Sequence, residues 1–187
     1  MPKTSEVSRL RSLALVLALV AAGALALVAT ASAQPSQGGH LLTAADAIEG
    51  PTIDLINETR AAHGLRPLNV SVRLTEAAHR HSVSMATGGY FDHTSSDGTV
   101  FWKRIARYFG QAGFRRWTVG ENLLWASPDV SPQQAVEMWL ASPGHRKVLL
   151  SPAWTEIGLA AVHVRNAPGI FEGYDVTIVT ADFGARS

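Results

Sequence analysis

Three polar side chains that could do chemistry stand in short, distinctive strings of this 187-residue sequence. They are His93 in FDHTS (91–95), Glu121 in GENL (120–123) and His145 in SPGHR (142–146). Two imidazoles and one carboxylate make a sound ligand set for a divalent ion such as zinc, with water completing the shell. The three residues are 28 and 24 positions apart, so no local geometric rule places them together.

The same residue types leave several chemistries open. A bound ion would polarise a carbonyl or activate water, and a His–Glu pair without metal could act as a base. The chain contains no cysteine, which excludes thiolate mechanisms and Cys-ligated metal sites. No serine lies in a G-x-S-x-G nucleophile context. The residues alone therefore identify no catalytic group.

Taken together, the strings resemble the motifs of the CAP superfamily (the cysteine-rich secretory, antigen 5 and pathogenesis-related 1 proteins) in its short bacterial form. Besides the three strings above, the matching segments are LINETR (55–60), Gly64-Leu65 and EIG (156–158). Each string alone is weak, but together they follow the family's order over about residues 52–183.

The resemblance implies an α+β fold, a three-layer α-β-α sandwich of the CAP type with a mostly antiparallel central sheet. It also implies a cleft lined by His93, Glu121 and His145, where zinc or another divalent cation would bind weakly.

One position departs from the fuller family pattern. The place where many eukaryotic members carry a second glutamate, shortly after the helix tryptophan, holds Ser142. This smaller acid set argues against tight metal binding and against hydrolysis.

For function, the resemblance implies an exported binding module for a divalent metal, a lipid or a peptide, rather than an enzyme. The alternative is a metal-dependent hydrolase acting on peptide or cell-envelope substrates. A third hypothesis is an interaction protein whose cleft histidines serve only as scaffolding.

The elements that must position these residues are helices first and strands last. Apolar spacing and capping residues predict helices over 51–63, from 72 to about 87, around 98–108, from 132 and from 143 to about 150. The string SPQQ (131–134) has the form of a capping box with proline at the first helical position. Residues 156–164 and 175–183 predict two central strands joined as a long hairpin. Glu121 is expected to lie in a loop, and Asn122 to stabilise a turn.

Other candidate residues receive simpler interpretations. His81 falls on the apolar stripe of the second helix, which predicts a buried core histidine rather than a ligand. Most of the five tryptophans are expected to make packing contacts, Trp139 among them. Trp117 and Trp125 flank the GENL string and are candidates for the cleft wall.

The first 33 residues are typical of a secretory signal. A basic start is followed by the uncharged run 13–28 and then by the small residues ASA (31–33). We predict cleavage after Ala33, a flexible linker over 34–50 and one domain over 51–187. The alternative for the leader is an uncleaved membrane anchor, although its apolar run is short for a membrane span. The protein would then be secreted or extracytoplasmic (extracellular or periplasmic), with no stable membrane span after signal cleavage.

The charge of the remaining chain limits the classes of partner. The whole chain has a net charge of +1, and the leader carries three basic residues and one acid, so removing it leaves +1 − 2 = −1. A near-neutral domain gives no electrostatic case for nucleic acid, and no polybasic run favours an anionic membrane. The expected partner is therefore an unidentified lipid, peptide or envelope component.

Overall fold

The computed structural model describes residues 41–43 and 45–187. The predicted leader and the first part of the predicted linker lie outside these residues. In chain order the elements are β1 (Leu41–Thr43), α1 (Ala45–Ala62), β2 (Asn69–Val70), α2 (Val72–Gly88), α3 (Phe101–Ala106), β3 (Trp117–Ala126), α4 (Pro132–Ala141), α5 (Pro143–Leu149), β4 (Glu156–Val164) and β5 (Val176–Arg186). No helix in this part of the chain is long and apolar enough to cross a membrane.

The strands form a sheet in the order β1-β4-β5-β3, and all neighbours on this path are antiparallel. The short strand β2 pairs with β4 in parallel, so the sheet is mixed but mostly antiparallel. Its register places Glu121 of β3 opposite Asp182 of β5, and Asp182 opposite Gly158 of β4. These three positions therefore form one row across the sheet on a single face.

Helices cover both faces of this sheet, which gives the predicted three layers. On one face α2 packs against β4 and β5, and α3 packs against α2 and β3. On the other, α1 packs against β4, and α4 and α5 pack against β3. Strand residues alternate between these layers. Ile157 and Leu159 belong to one apolar core together with Ile56 of α1 and Trp139 of α4. Val162 belongs to a separate apolar core.

Gly158 sets the distance between α2 and the sheet. A Cβ atom at this position would overlap the backbone nitrogen of Thr75 and the carbonyl carbon of Leu74. Only a residue without a side chain lets the first turns of the helix lie this close to β4. The glycine of the EIG string is therefore a packing requirement of the fold.

The fold begins earlier than the sequence predicts. Residues 41–43 pair with β4, and α1 begins at Ala45, so both lie inside the range assigned to a flexible linker. Pro51 lies inside the helix instead of starting it. The extra turn is held by tertiary contacts: Ile48 is buried, and Glu49 Oε1 accepts a hydrogen bond from the main-chain nitrogen of Ala161 at 3.0 Å.

Several predicted elements are confirmed, but strand β3 is missed, as β1 is. Ser131 Oγ accepts from the Gln134 nitrogen at 3.2 Å, and Gln134 Oε1 accepts from the Ser131 nitrogen at 2.9 Å, which completes the capping box. β4 and β5 are the two predicted central strands. The GENL string, however, lies in β3 and not in a loop. The polar residues of this string interrupt the alternating apolar pattern that predicts a strand. The residues with which they pair lie far away in the sequence, so no local signal indicates the pairing.

Candidate functional site

β3 is the outer strand on its side of the described sheet, and its alternation sends successive residues to opposite faces. Glu121 points to the α2 and α3 layer, in line with Asp182. The neighbouring Asn122 points to the α4 and α5 layer, where its Nδ2 donates to the carbonyl oxygen of His145 at 3.0 Å. Two adjacent strand residues thus tie together two parts of the chain that approach β3 from different sides.

The carboxylate of Glu121 is buried and is held by two cationic or ionisable side chains. His93 Nδ1 lies 2.7 Å from Oε1, and a guanidinium nitrogen of Arg104 donates to Oε2. The same guanidinium donates to the carbonyl oxygen of His93 at 2.9 Å and to Ser95 Oγ at 3.2 Å. Arg104 therefore fixes both the carboxylate and the loop that carries the histidine.

The contact between His93 and Glu121 shifts the pKa values of the two residues in opposite directions. The hydrogen bond to Glu121 raises the pKa of His93, although burial opposes the effect. Burial by itself would raise the pKa of Glu121, but the hydrogen bond from His93 and the charge of Arg104 outweigh it and leave that pKa lowered. Because Nδ1 faces the carboxylate, Nδ1 carries a proton and Nε2 is left for a ligand. The His93 side chain is 49 % exposed, so a ligand has access to the ring.

His145 lies in the first turn of α5, and the residue is of intermediate exposure. Burial, followed by the positive charge of His93, lowers the pKa of His145. His145 is thus favoured as a neutral acceptor or donor, while His93 is the imidazole favoured in its charged form.

A pocket of about 290 Å³ adjoins His145. Its walls come from β3, α4 and the loop that precedes His93, and they are mostly apolar. The lining includes Phe91, Leu123, Trp125, Met138, Ser142 and His145. Trp139 also lines it while its Nε1 donates to the Leu123 carbonyl oxygen at 3.1 Å, which fixes the pocket floor to the strand. An apolar cavity with a few polar groups at its edge is the usual form of a small-ligand site.

Asp182 is a site residue that the sequence analysis missed. It is fully buried, and neither carboxyl oxygen accepts a hydrogen bond within the described part of the chain, while the neutral acid can donate one to Glu121. Burial, followed by the adjacent negative charge of Glu121, raises the pKa of Asp182 well above its usual range, which favours the neutral form. The one available signal was an acidic residue in the middle of an otherwise apolar strand.

His81 and Arg104 complete this buried polar cluster. His81 Nε2 donates to the carbonyl oxygen of Asp92 at 2.9 Å, and burial lowers the pKa of the ring to about 4. Its Nδ1, like Nε of Arg104, has no hydrogen-bond partner among the described residues. The prediction of a buried core histidine is confirmed, but the core around His81 is polar. Arg104 was missed because its neighbours in the string FWKRIA give no sign of a partner 17 residues away.

The predicted three-ligand metal site does not match this geometry. Both carboxylate oxygens of Glu121 accept hydrogen bonds, one from His93 and one from Arg104, and the side chain is 0 % exposed, so an ion would have to displace these partners to reach it. Within the described residues no group of three or more His, Cys, Asp or Glu side chains is arranged to hold a metal. The set His93, Glu121 and His145 therefore does not fit a three-ligand ion. Only the two imidazoles remain as candidate ligands, and metal binding stays a prediction.

The tryptophans divide between packing and the pocket. Trp139 and Trp154 are buried, as predicted. Trp125 lines the pocket, whereas Trp117 packs against the core of Leu74 and Phe109, its Nε1 donating to the Phe109 carbonyl oxygen at 2.6 Å. Trp102 is 46 % exposed, so it is not a core residue.

Comparison with known proteins agrees with this architecture. The family model of the cysteine-rich secretory protein family, CAP, matches residues 53–183. The uncharacterized protein YkwD of Bacillus subtilis is 35 % identical over 117 residues, covering 62 % of this chain and 43 % of the relative. The uncharacterized membrane protein YlbC of the same organism is 35 % identical over 111 residues, covering 59 % and 30 % respectively. The chain thus spans less than half the length of these curated relatives.

Two solved structures show the same fold. An extracellular protein containing an SCP domain from Bacillus anthracis has a TM-score of 0.54 and 29 % identity, with 72 % of this chain and 39 % of that chain covered. An outer surface protein from Borrelia burgdorferi has a TM-score of 0.58 and 22 % identity, with 80 % and 99 % covered. Since the family model matches well over half of the sequence, this chain belongs to the cysteine-rich secretory protein (CAP) family.

Proposed function

We propose that this protein is an exported binding module whose cleft takes a lipid or peptide with an apolar portion and a hydrogen-bonding head. The observation that carries the proposal is the apolar pocket of about 290 Å³ bordered by His145. The apolar part of the ligand would lie between Trp125 and Met138. Its polar head would meet the two imidazoles, of which His93 is favoured in the charged form and His145 in the neutral one.

The electrostatics of the cleft support this assignment. A charged His93 donates from Nε2 and attracts a carboxylate or another anionic head, and Glu121 keeps the ring in one orientation. An extracytoplasmic location fits the predicted leader and the surface or extracellular character of the structural neighbours.

Charge placed at the pocket rim tests the proposal. Met138 is 45 % exposed and lines the pocket, so Met138→Lys puts an ammonium group at the entrance. Ala141→Lys, an exposed position on the same helix outside the lining, makes the same change of charge and serves as the control. With a fluorescent, uncharged long-chain alcohol and an uncharged apolar peptide as probes, we expect the first variant to lose binding and the second to keep it. Equal binding by both variants would contradict the proposal.

A divalent ion is the second candidate ligand, and it would rest on His93 and His145 alone. With a third protein ligand lacking, we expect weak affinity. Zinc calorimetry on the wild type and on the His93→Ala/His145→Ala double variant tests this expectation. Identical heats would remove the metal from the proposal.

The alternative is a hydrolase acting on peptide or envelope substrates. The feature that favours it is the His93–Glu121 contact, which can hold the ring as a general base toward water. If this alternative holds, Glu121→Gln would abolish turnover of such a substrate, whereas Met138→Lys would change substrate binding. Turnover that survives Glu121→Gln would come from another protein in the preparation.

A further inference from the structure

A second surface, distinct from the pocket beside His145, concentrates positive charge on a domain whose net charge after leader removal is only −1. It consists of two adjoining pockets that share Pro152. The first, of about 460 Å³, is lined by Arg66, Arg116 and Arg186; the second, of about 500 Å³, by Arg146 and Lys147. We call these five side chains the basic face.

The three arginines of the first pocket come from three separate parts of the chain. Arg186 is the last residue of β5 and stacks its guanidinium over Phe109 at 3.9 Å and Phe114 at 4.8 Å. Arg116 precedes β3 and is tied by its main-chain nitrogen to the Ser187 carbonyl oxygen at 2.9 Å. Arg66 follows α1, and its carbonyl oxygen accepts from Arg60 Nε at 3.1 Å. Folding thus brings together cations that are far apart in sequence.

The charges of the basic face are compensated in part, since Arg186 is paired with a carboxylate and its side chain is only 14 % exposed. In the described part of the chain, its one ion pair joins Arg186 to Glu156 at 3.6 Å. Beneath it lies Arg60, which is fully buried and donates to the carbonyl oxygens of Leu149 and Ser151 at 2.8 and 3.0 Å. Its Nη2 atom has no partner among the described residues. This buried cation adds to the positive potential above it.

Several features indicate a phosphate ligand. Guanidinium groups bind phosphate through parallel hydrogen bonds. A phosphate presents oxygens in several directions, which suits three guanidiniums from three parts of the chain better than the two coplanar oxygens of a carboxylate. The first pocket also contains the hydroxyl groups of Thr118 and Thr155 as further hydrogen-bonding groups.

The division into two pockets indicates the form of the ligand. A single ion would occupy one pocket and leave the cations of the other free. A chain of linked phosphates can cross Pro152 and contact both. We propose that the basic face binds a linear polyanion with repeated phosphate groups.

Direct binding to a short labelled inorganic polyphosphate, measured by fluorescence anisotropy, tests the proposal. We expect Arg66→Gln/Arg116→Gln to weaken binding by more than about tenfold near 0.1 M salt, and to lower the slope of log affinity against log salt by about 1.4. Arg146→Gln/Lys147→Gln should weaken it as well. Arg107→Gln/Arg165→Gln is the matched control, because it removes two charges from exposed arginines that line neither pocket.

Four outcomes would overturn the proposal. The first is a loss of affinity in Arg107→Gln/Arg165→Gln equal to that of the face variants, which would indicate net charge alone. The second is an unchanged affinity in Arg146→Gln/Lys147→Gln, which would leave one pocket without a role. The third is polyphosphate binding no tighter than that of orthophosphate. The fourth is equal or tighter binding of oligothymidylate, of a carboxylate polymer or of anionic vesicles at matched charge.

Discussion

The two faces of β3 differ in how many ionisable groups they bury. On the α4 side, Leu124 and Trp139 belong to a continuous apolar core, and the indole nitrogen of Trp139 donates to the carbonyl oxygen of Leu123. On the α2 and α3 side, Glu121 and Asp182 are buried side by side, and several polar atoms around them have no partner among the described residues. Burial of apolar area stabilises the fold, whereas buried ionisable groups cost free energy unless they are paired. The apolar packing on the α4 side therefore offsets the free-energy cost of burying ionisable groups on the α2 and α3 side.

The largest expected loss of stability comes from removing a buried side chain on the apolar face. Trp139→Ala removes a side chain that is 1 % exposed and should lower the free energy of unfolding by about 4 kcal/mol. Urea denaturation measures the loss. The exposed neighbour Met138→Ala is the control and should stay within about 0.5 kcal/mol of the wild type. A loss below about 1 kcal/mol in Trp139→Ala would mean that the apolar face is not the main source of stability.

Next in size is the removal of the cation from the polar face. Arg104→Met leaves the buried Glu121 charge with only His93, and we expect a loss of about 3 kcal/mol. Adding Glu121→Gln removes that charge, so the double variant should be more stable than Arg104→Met alone. The exposed Arg107→Met is the matched control. If the double variant lost as much as the two single variants combined, the ion pair would not couple them.

A smaller effect of opposite sign is expected at Asp182. Because its pKa is raised in the folded protein, the native state binds more protons than the unfolded state above the ordinary aspartate pKa. Wild-type stability therefore falls as pH rises above about 4, while Asp182→Asn has no such group. The variant should gain stability relative to the wild type between pH 4 and 7, as measured by denaturation at each pH. A difference that did not change with pH would show that Asp182 is ionised in the fold.

The smallest change concerns the two imidazoles. In an NMR titration we expect His93 to have a pKa above the usual histidine value and His145 one below it. Glu121→Gln should lower the pKa of His93, since the hydrogen bond to Glu121 is the main cause of its increase. Because that pKa is raised, the contact stabilises the fold fully below about pH 6.5, and its contribution is lost as pH rises through the pKa of His93. Equal titration of both rings would remove the distinction between them.

The sequence was most informative where local chemistry decides the structure. The capping box at Ser131 and the strand 156–164 follow from residues that lie within a few positions of one another. It was least informative at β3, where ten residues pair with β5 about 60 positions later. Propensity gives little guidance for a strand with glycine, glutamate and asparagine in its centre, since cross-strand partners determine whether such residues are tolerated.

The sequence by itself therefore determined the family, the layer order and the three motif residues His93, Glu121 and His145, because those strings have a fixed order. Only the tertiary structure decided that Arg104 and Asp182 surround Glu121, that both oxygens of this carboxylate are engaged, and that scattered arginines form one basic face. The physical reason is that hydrogen bonds and burial act over a few ångströms in space, between residues whose separation along the chain carries no information about that distance.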